Sequence, residues 1–505
     1  MEFRYSERLS ALDATFLQLE SPNAHMHVGA VALFEATPLR AADGTIDTDR
    51  IHRMVQVGLH RVPRYQQRLD TVPLFGSPVW IDDDRFNLHY HVRHVGLPPP
   101  GNERQLKRLA GRIMSQQLDR GKPLWELWVV EGIEGNQVAL ITKAHHCMID
   151  GVGSVELTGA LMTAQAEMEA QIDDPPRWIP RPAPTPADLF AAELWRRALE
   201  PVELLGAGRR ALRQPLETLK GAGQTAAAIW EAVATGLQPS SPTPLNSDIG
   251  PHRRFDWLEM DLAAIKEIRA ALGGTLNDVV LSIVSGALSR FLKARGMRSD
   301  RLDFRAMIPV NVRTASQRDD MGNQVAMIVT RLPLEERDPA RRLRRTTELM
   351  HQVKDSRQRQ GVQTIEELSD RTFTTLFSMF ARLAAASRPY NVVVTNVPGP
   401  QFATYFLGAR MRAAYPLVPL FENQALGVAL FSYDGKLFWG LNADWDAIPD
   451  LHDIVGGLQK EYDLLRSAAA AAPTPIASQA ERSAGGESRK SAPKPDRQRA
   501  RVATS

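Results

Sequence analysis

The sequence predicts a mixed α/β protein of two folded units, joined by a proline-rich and partly helical linker and closed by a disordered tail. Three observations carry this. In both halves short strand-like apolar runs alternate with segments whose apolar residues recur at 3.6 spacing, the pattern of mixed α/β layers. Prolines at Pro175-Pro176, across 182–186 and across 239–244 bracket a stretch of scattered apolar residues among arginines. After Ser467 the chain is dominated by Ala, Pro, Ser and Arg, with too little apolar surface to bury. The expected boundaries are 1–175, 176–250 for the linker, 251–466, and 467–505 for the tail.

The first unit opens with a helical or looped start at Ser10-Ala11-Leu12-Asp13 and a strand over 26–34. Residues 51–59 have helical spacing, which Pro63 ends. Loop and strand follow at 73–81 and 88–95. Pro98-Pro99-Pro100-Gly101 then breaks the chain before a helix over 103–118. Pro123-Leu124-Trp125 leads into a hairpin, 126–131 and 137–143, around a turn at Glu134-Gly135-Asn136.

At the end of that hairpin stands His145-His146-Cys147-Met148-Ile149-Asp150-Gly151, before a helix-like run over 154–168. A neutral imidazole, with an unperturbed pKa of ~6.5, can take a proton from an alcohol and return it to a leaving group. Adjacent residues of extended chain point to opposite faces, so one histidine looks into a reaction centre, and His146 is the candidate. Asp150 is too close along the chain for triad geometry. Beside Gly151 it suits a tight turn into a helix, with Arg64 or Arg68 as candidate counter-ions.

Helices over 187–237 follow, suited to packing across two domains or to a lipid surface. The second unit begins with a strand at 254–261 and a helix at 262–272. A strong helix then starts at Thr275-Leu276-Asn277-Asp278, with Val279, Val280, Ile283, Val284, Ala287, Leu288 and Phe291 on one face. Thr275 to Asp278 matches a capping box, which by itself accounts for Asp278. Strands are expected at 302–312 and 325–332, and a helix at 341–360 with further helix to 386. A strand at 392–395, a turn at Asn396-Val397-Pro398-Gly399-Pro400, and strands near 411, 425–433 and 436–442 complete the unit.

Composition narrows the function. The tail holds seven Lys or Arg against three Asp or Glu, leaving 54 against 55 for the rest, so the body lacks the basic footprint of a nucleic-acid protein. A single cysteine, Cys147, excludes an internal disulfide framework and fits a reducing cytosol. The first residues lack the apolar core of a signal peptide, and no apolar run reaches the ~18 residues of a membrane span. No HExxH, second CxxC or third ligand at helical spacing supports a metal at the histidines. Cys147 reads as a buried structural thiol. Gly151-Val152-Gly153 fails as a dinucleotide loop because Glu156 holds the third glycine position, and neither a GxSxG elbow nor a Walker loop occurs. Trp125, Trp128, Trp178 and Trp195 read as core or surface anchors.

The ordered blocks Leu12-Asp13 with Phe16-Leu17, Met26-His27-Val28-Gly29, Pro123-Leu124-Trp125, HHxxxDG, Asn277-Asp278, Pro309-Val310-Asn311-Val312-Arg313, Gly322-Asn323 and Asn396-Val397-Pro398-Gly399-Pro400 resemble the bacterial wax ester synthase/acyl-CoA:diacylglycerol acyltransferase family. That family lies within the superfamily of chloramphenicol acetyltransferase and condensation domains. The likeness spans residues 9–465, with Thr395 where a serine is common. It implies two chloramphenicol-acetyltransferase-like sandwich domains with a tunnel at their interface. His146 would be the base, His145 and Asp150 would shape the motif, Gly151 would leave room for substrate, and Asn277-Asp278 would support the site.

The implied reaction joins acyl-CoA to diacylglycerol or a long-chain alcohol without an acyl-enzyme, with no cofactor beyond acyl-CoA as substrate. The oxyanion donors would be backbone N–H groups or the Asn277 region. The expected setting is cytoplasmic, at the inner face of the membrane or on lipid droplets, without nucleic-acid partners. Two alternatives stay open: a non-catalytic lipid-binding relative, which the intact motif disfavours, and an acyltransferase taking its donor from a carrier protein.

Overall fold

The computed structural model describes residues 6–148, 159–166, 178–197, 239–311, 325–360 and 388–472. The first half contributes β1 (Glu7–Arg8), β2 (His27–Glu35), β3 (Gln67–Thr71), β4 (Pro78–Asp82), β5 (Val92–Gly96), β6 (Trp125–Ile133) and β7 (Gln137–His145). The second contributes β8 (Arg253–Asp261), β9 (Arg305–Asn311), β10 (Val325–Arg331), β11 (Val392–Pro398), β12 (Tyr405–Phe406), β13 (Ala409–Leu417), β14 (Leu426–Tyr433) and β15 (Lys436–Asp444).

These strands form two six-stranded mixed sheets, ordered β12-β13-β2-β7-β6-β5 and β10-β9-β11-β14-β15-β8, and a small sheet β1-β4-β3. The first six-stranded sheet is therefore completed from the second half of the chain: β13 lies antiparallel to β2, from Met411 opposite Phe34 to Leu417 opposite Gly29. Two glycines permit the close approaches this needs. A Cβ on Gly29 would stand 2.0 Å from the Thr142 carbonyl oxygen, and one on Gly440 of β15 would stand 1.8 Å from that of Pro416 in β13.

Helices cover the sheets, and their starts follow local chemistry. Ser10 caps Ala11–Leu19 by accepting the Asp13 N–H. Asn102 and Gln105 form a reciprocal box at the head of Glu103–Met114, and Thr275 and Asp278 another before Leu276–Ala294. All seven apolar residues expected on that last helix's face are buried. Helix Glu103–Met114 joins the halves. A Cβ on Gly111 would meet the Arg253 carbonyl at 2.7 Å, and Ser115 Oγ accepts the Arg253 N–H at 2.8 Å.

Four expectations change. The helix over 154–168 does not run through: residues 159–161 are helical, but Thr163 exchanges two main-chain hydrogen bonds with Tyr405, which holds it extended. The helix from Glu103 stops at Met114 rather than 118, where Ser115 Oγ turns back onto the Gly111 carbonyl. The turn proposed at Asn396 is strand as far as Pro398, drawn out by parallel pairing with β14. A helix that the patterns did not single out, Leu451–Ala471, packs on Leu276–Ala294 and runs into the segment assigned to the tail. Of the linker helices, residues 186–197 are described and helical, opening with a Thr185–Asp188 capping box.

Candidate active site

The paired histidines sit where β7 runs into a single turn, His146–Met148. Main-chain bonds fix that transition: His145 N–H donates to the Leu124 carbonyl at 2.9 Å, and His146 N–H to that of Met26 at 2.8 Å. The two side chains then part company.

His145 is buried, and its Nδ1 accepts the Cys147 N–H at 3.1 Å. The ring proton therefore belongs on Nε2, which faces Glu20 Oε2 at 3.8 Å, beyond hydrogen-bond reach. Burial, helped by the neighbouring His146, pulls its pKa down to about 3. Glu20 is held by Arg120, although burial raises its own pKa. His145 is thus a neutral part of the frame.

His146 is partly exposed. Phe16, carried by helix Ala11–Leu19, stacks on its ring with centroids 3.7 Å apart and planes at 21°. Its Nδ1 is buried and has no hydrogen-bond partner among the described residues. Burial lowers its pKa to about 4, opposed by the residue's own main-chain carbonyl, so the ring is uncharged at neutral pH.

Two more histidines extend the cluster. His27 lies opposite His145 in the sheet, edge-on at 6.2 Å, with both ring nitrogens buried and unpartnered. His25 lies 5.5 Å from His27, with Nε2 2.8 Å from the Pro22 carbonyl. Burial lowers both pKa values. Beneath them Lys143 is buried, donating to the Ile113 and Gln116 carbonyls and lying 3.8 Å from Glu126. Burial brings its pKa down to about 8. Cys147 is buried, which pushes its thiol pKa up. Among the described residues no group of three or more His, Cys, Asp or Glu is arranged to hold a metal.

Asp150 and Gly151 lie outside the described residues. Arg64 binds Glu7 at 2.7 Å and lies over Trp80, while Arg68 pairs with Asp70 at 3.7 Å. Asp278 is buried in its capping box, with Oδ2 accepting the Thr275 N–H at 2.8 Å. Asn277 Oδ1 accepts from Asn396 Nδ2 at 2.8 Å, which ties the helix to β11. Among the described residues, no hydrogen bond or ring contact joins this pair to His146. Trp125 is a core anchor, donating to the Tyr65 carbonyl and stacked on His91, whereas Trp195 is 64 % exposed.

Phe16, Glu20, Arg120, His25 and His27 were not assigned roles from sequence. Phe16 and His27 stand in blocks of the family resemblance, but their approach to the motif is not local information, because the contacts depend on strand register and on a helix returning over the motif.

Comparison with known proteins identifies the family. A family model described as the wax ester synthase/diacylglycerol acyltransferase catalytic domain matches residues 9–280, and the corresponding C-terminal domain matches 321–466. A putative diacylglycerol O-acyltransferase of Mycobacterium tuberculosis is 32% identical over 469 residues, covering 89% of this chain and 88% of its own. The wax ester synthase/diacylglycerol acyltransferase of Marinobacter aquaeolei VT8 is similar in structure, with a TM-score of 0.65 and 25% identity, over 92% of this chain and 100% of that one. The first condensation domain of the calcium-dependent antibiotic synthetase shares the fold, at a TM-score of 0.56 and 16% identity, over 93% of this chain and 97% of that one.

Proposed function

The chain belongs to the wax ester synthase/diacylglycerol acyltransferase family and is an acyl-CoA-dependent acyltransferase; from that premise we propose that it esterifies diacylglycerol, and long-chain alcohols that fit the same site, with His146 as general base. One observation carries the choice of base. Of four clustered histidines, His25, His27 and His145 are buried, while His146 alone is a residue not fully buried.

A proton resting on the buried Nδ1 leaves the Nε2 lone pair for the acceptor hydroxyl. As the hydroxyl oxygen forms its bond to the thioester carbonyl carbon, Nε2 takes the hydroxyl proton. The tetrahedral oxyanion collapses, the carbon–sulfur bond breaks, and the CoA thiolate leaves and recovers that proton. Its conjugate thiol has a pKa of ~8.5, so it departs readily. The depressed resting pKa keeps His146 unprotonated, and the imidazolium formed during reaction is favoured by the oxyanion beside it. General base action supplies roughly two to four orders of magnitude, and holding both substrates together supplies much of the remainder.

The test is CoA release by purified protein from palmitoyl-CoA with dioleoylglycerol or hexadecanol, beside His146→Ala. Thiol release that depends on an acceptor and is lost in the variant supports the base. An unimpaired variant removes it, and release with neither acceptor removes the acyl-CoA reaction.

The enzyme's place is the surface of a membrane or lipid droplet, on the cytoplasmic side. Supporting a surface location, Leu194 and Trp195 stand 53 and 64 % exposed beside Arg196 and Arg197 in the chain, and Ile179 is 79 % exposed. Flotation with liposomes, weakened in a Leu194→Ala/Trp195→Ala variant, is the expected result.

A further inference from the structure

A cleft of about 780 Å³ opens between helix Glu103–Met114 of the first half and β8 of the second, lined also by Trp445 and His452. Its walls carry Arg104, Lys107, Arg108, Arg253 and Arg254 against two carboxylates, Glu103 and Asp256. Both carboxylates are engaged: each pairs with Lys107, and Asp256 also lies 2.9 Å from His452 Nδ1. Arg253 is buried and donates to the carbonyls of Gly250, His252 and Asn23.

The other three guanidiniums are different. Arg104 and Arg108 stand one helical turn apart, exposed, with no carboxylate partner among the described residues. Arg254 also lacks one, and its guanidinium lies 3.7 Å from the ring centroid of Trp445. Like charges gathered without a counter-charge favour an anion, and the planar guanidinium fork matches phosphate oxygens in pairs. Trp445 stays 40 % exposed with Arg254 over its ring, so the stacked pair presents a planar surface against which a base can lie.

The cleft is also tied to the histidines. Arg253 in its wall donates to the Asn23 carbonyl, and three residues on, the Met26 carbonyl accepts the His146 N–H. Three residues span at most about 11 Å when extended. The Asn23 segment that Arg253 holds and the Met26 carbonyl that fixes His146 are therefore within about 11 Å along the chain.

Resting on the acyl-CoA reading above, we propose that this cleft holds the nucleotide end of the donor, with its phosphates on Arg104, Arg108 and Arg254 and its adenine against Trp445. The arm then runs past the Asn23–Met26 segment and delivers the thioester to His146.

Calorimetric titration of the full chain with the adenosine bisphosphate fragment of CoA tests the site without turnover. Binding is expected in the wild type, weakened about tenfold by Arg104→Gln and about a hundredfold by Arg104→Glu/Arg108→Glu, as lost charged hydrogen bonds predict. In kinetics the double variant should lose kcat/KM through KM, and much more with palmitoyl-CoA than with the palmitoyl thioester of N-acetylcysteamine, which has no nucleotide. Equal binding by wild type and variants, or none by either, overturns the proposal. Phosphatidylglycerol vesicles that bind the wild type and not the double variant, with no bisphosphate binding, also overturn it and assign the arginines to a lipid surface. Bisphosphate binding without CoA release would instead sink the proposed reaction and keep the cleft as a nucleotide-phosphate site.

Discussion

Two dipeptides, His145-His146 and Asn277-Asp278, stand where a strand or a helix meets a turn, and the structure treats them differently. In each, one residue is absorbed by the frame: His145 accepts the Cys147 N–H, and Asp278 accepts the Thr275 N–H. Their neighbours diverge. Asn277 is joined to Asn396 across to β11, while His146 has no hydrogen bond from its side chain among the described residues and is held by Phe16 stacked on its ring. Position in a motif does not separate chemistry from architecture. What sets His146 apart is an unengaged side chain on a residue that is not fully buried.

That contrast can be broken most strongly at His146. His146→Ala is expected to lower kcat for CoA release by roughly 10²- to 10⁴-fold, the range of general base catalysis, without displacing the thermal transition by a comparable amount. Equal losses of stability and activity would return His146 to the frame.

Acid sharpens the comparison next. His145 and His146 titrate near 3 and 4 in the folded chain against about 6.5 unfolded, so below pH 6.5 the unfolded chain binds more protons and stability falls. At pH 5 each costs on the order of 2 kcal/mol, and urea titrations at pH 7 and 5 should show a smaller difference in His146→Ala. Above pH 6.5 this contribution is fully present. Asp278→Ala should then cost about 1 kcal/mol in urea unfolding by loss of a cap, with a smaller effect on kcat than His146→Ala. Smallest is Cys147→Ala: the buried, protonated thiol should be unreactive to maleimide in the native chain, and its removal should leave turnover nearly unchanged.

Much of this was legible in the residues, for identifiable reasons. The hairpin β6–β7 follows from alternation on either side of Glu134-Gly135-Asn136, and the Thr275 helix from a cap and an apolar face. The candidate base follows from the chemistry of imidazole and its place at a strand end. What periodicity does not report is the partner of a strand. Residues 409–417 read as a strand in the second unit but pair with β2 in the first. The same blindness hid the Thr163–Tyr405 bridge that ends the helix expected through 168, and the approach of His25 and His27 to the motif. The arginines of the cleft come from segments 146 residues apart, so no local pattern brings Arg108 to Arg254.

The lodging of β12 and β13 in the first sheet sets a rule for rebuilding this protein. A chimera cut at the linker would ask the first half to accept a foreign strand beside β2, in the place that β13 of its own second half fills. The units are therefore not interchangeable cassettes. A functional swap has to carry residues 405–417 with the first half, making it a transplant in two pieces, and co-expressed halves should be recovered as one complex.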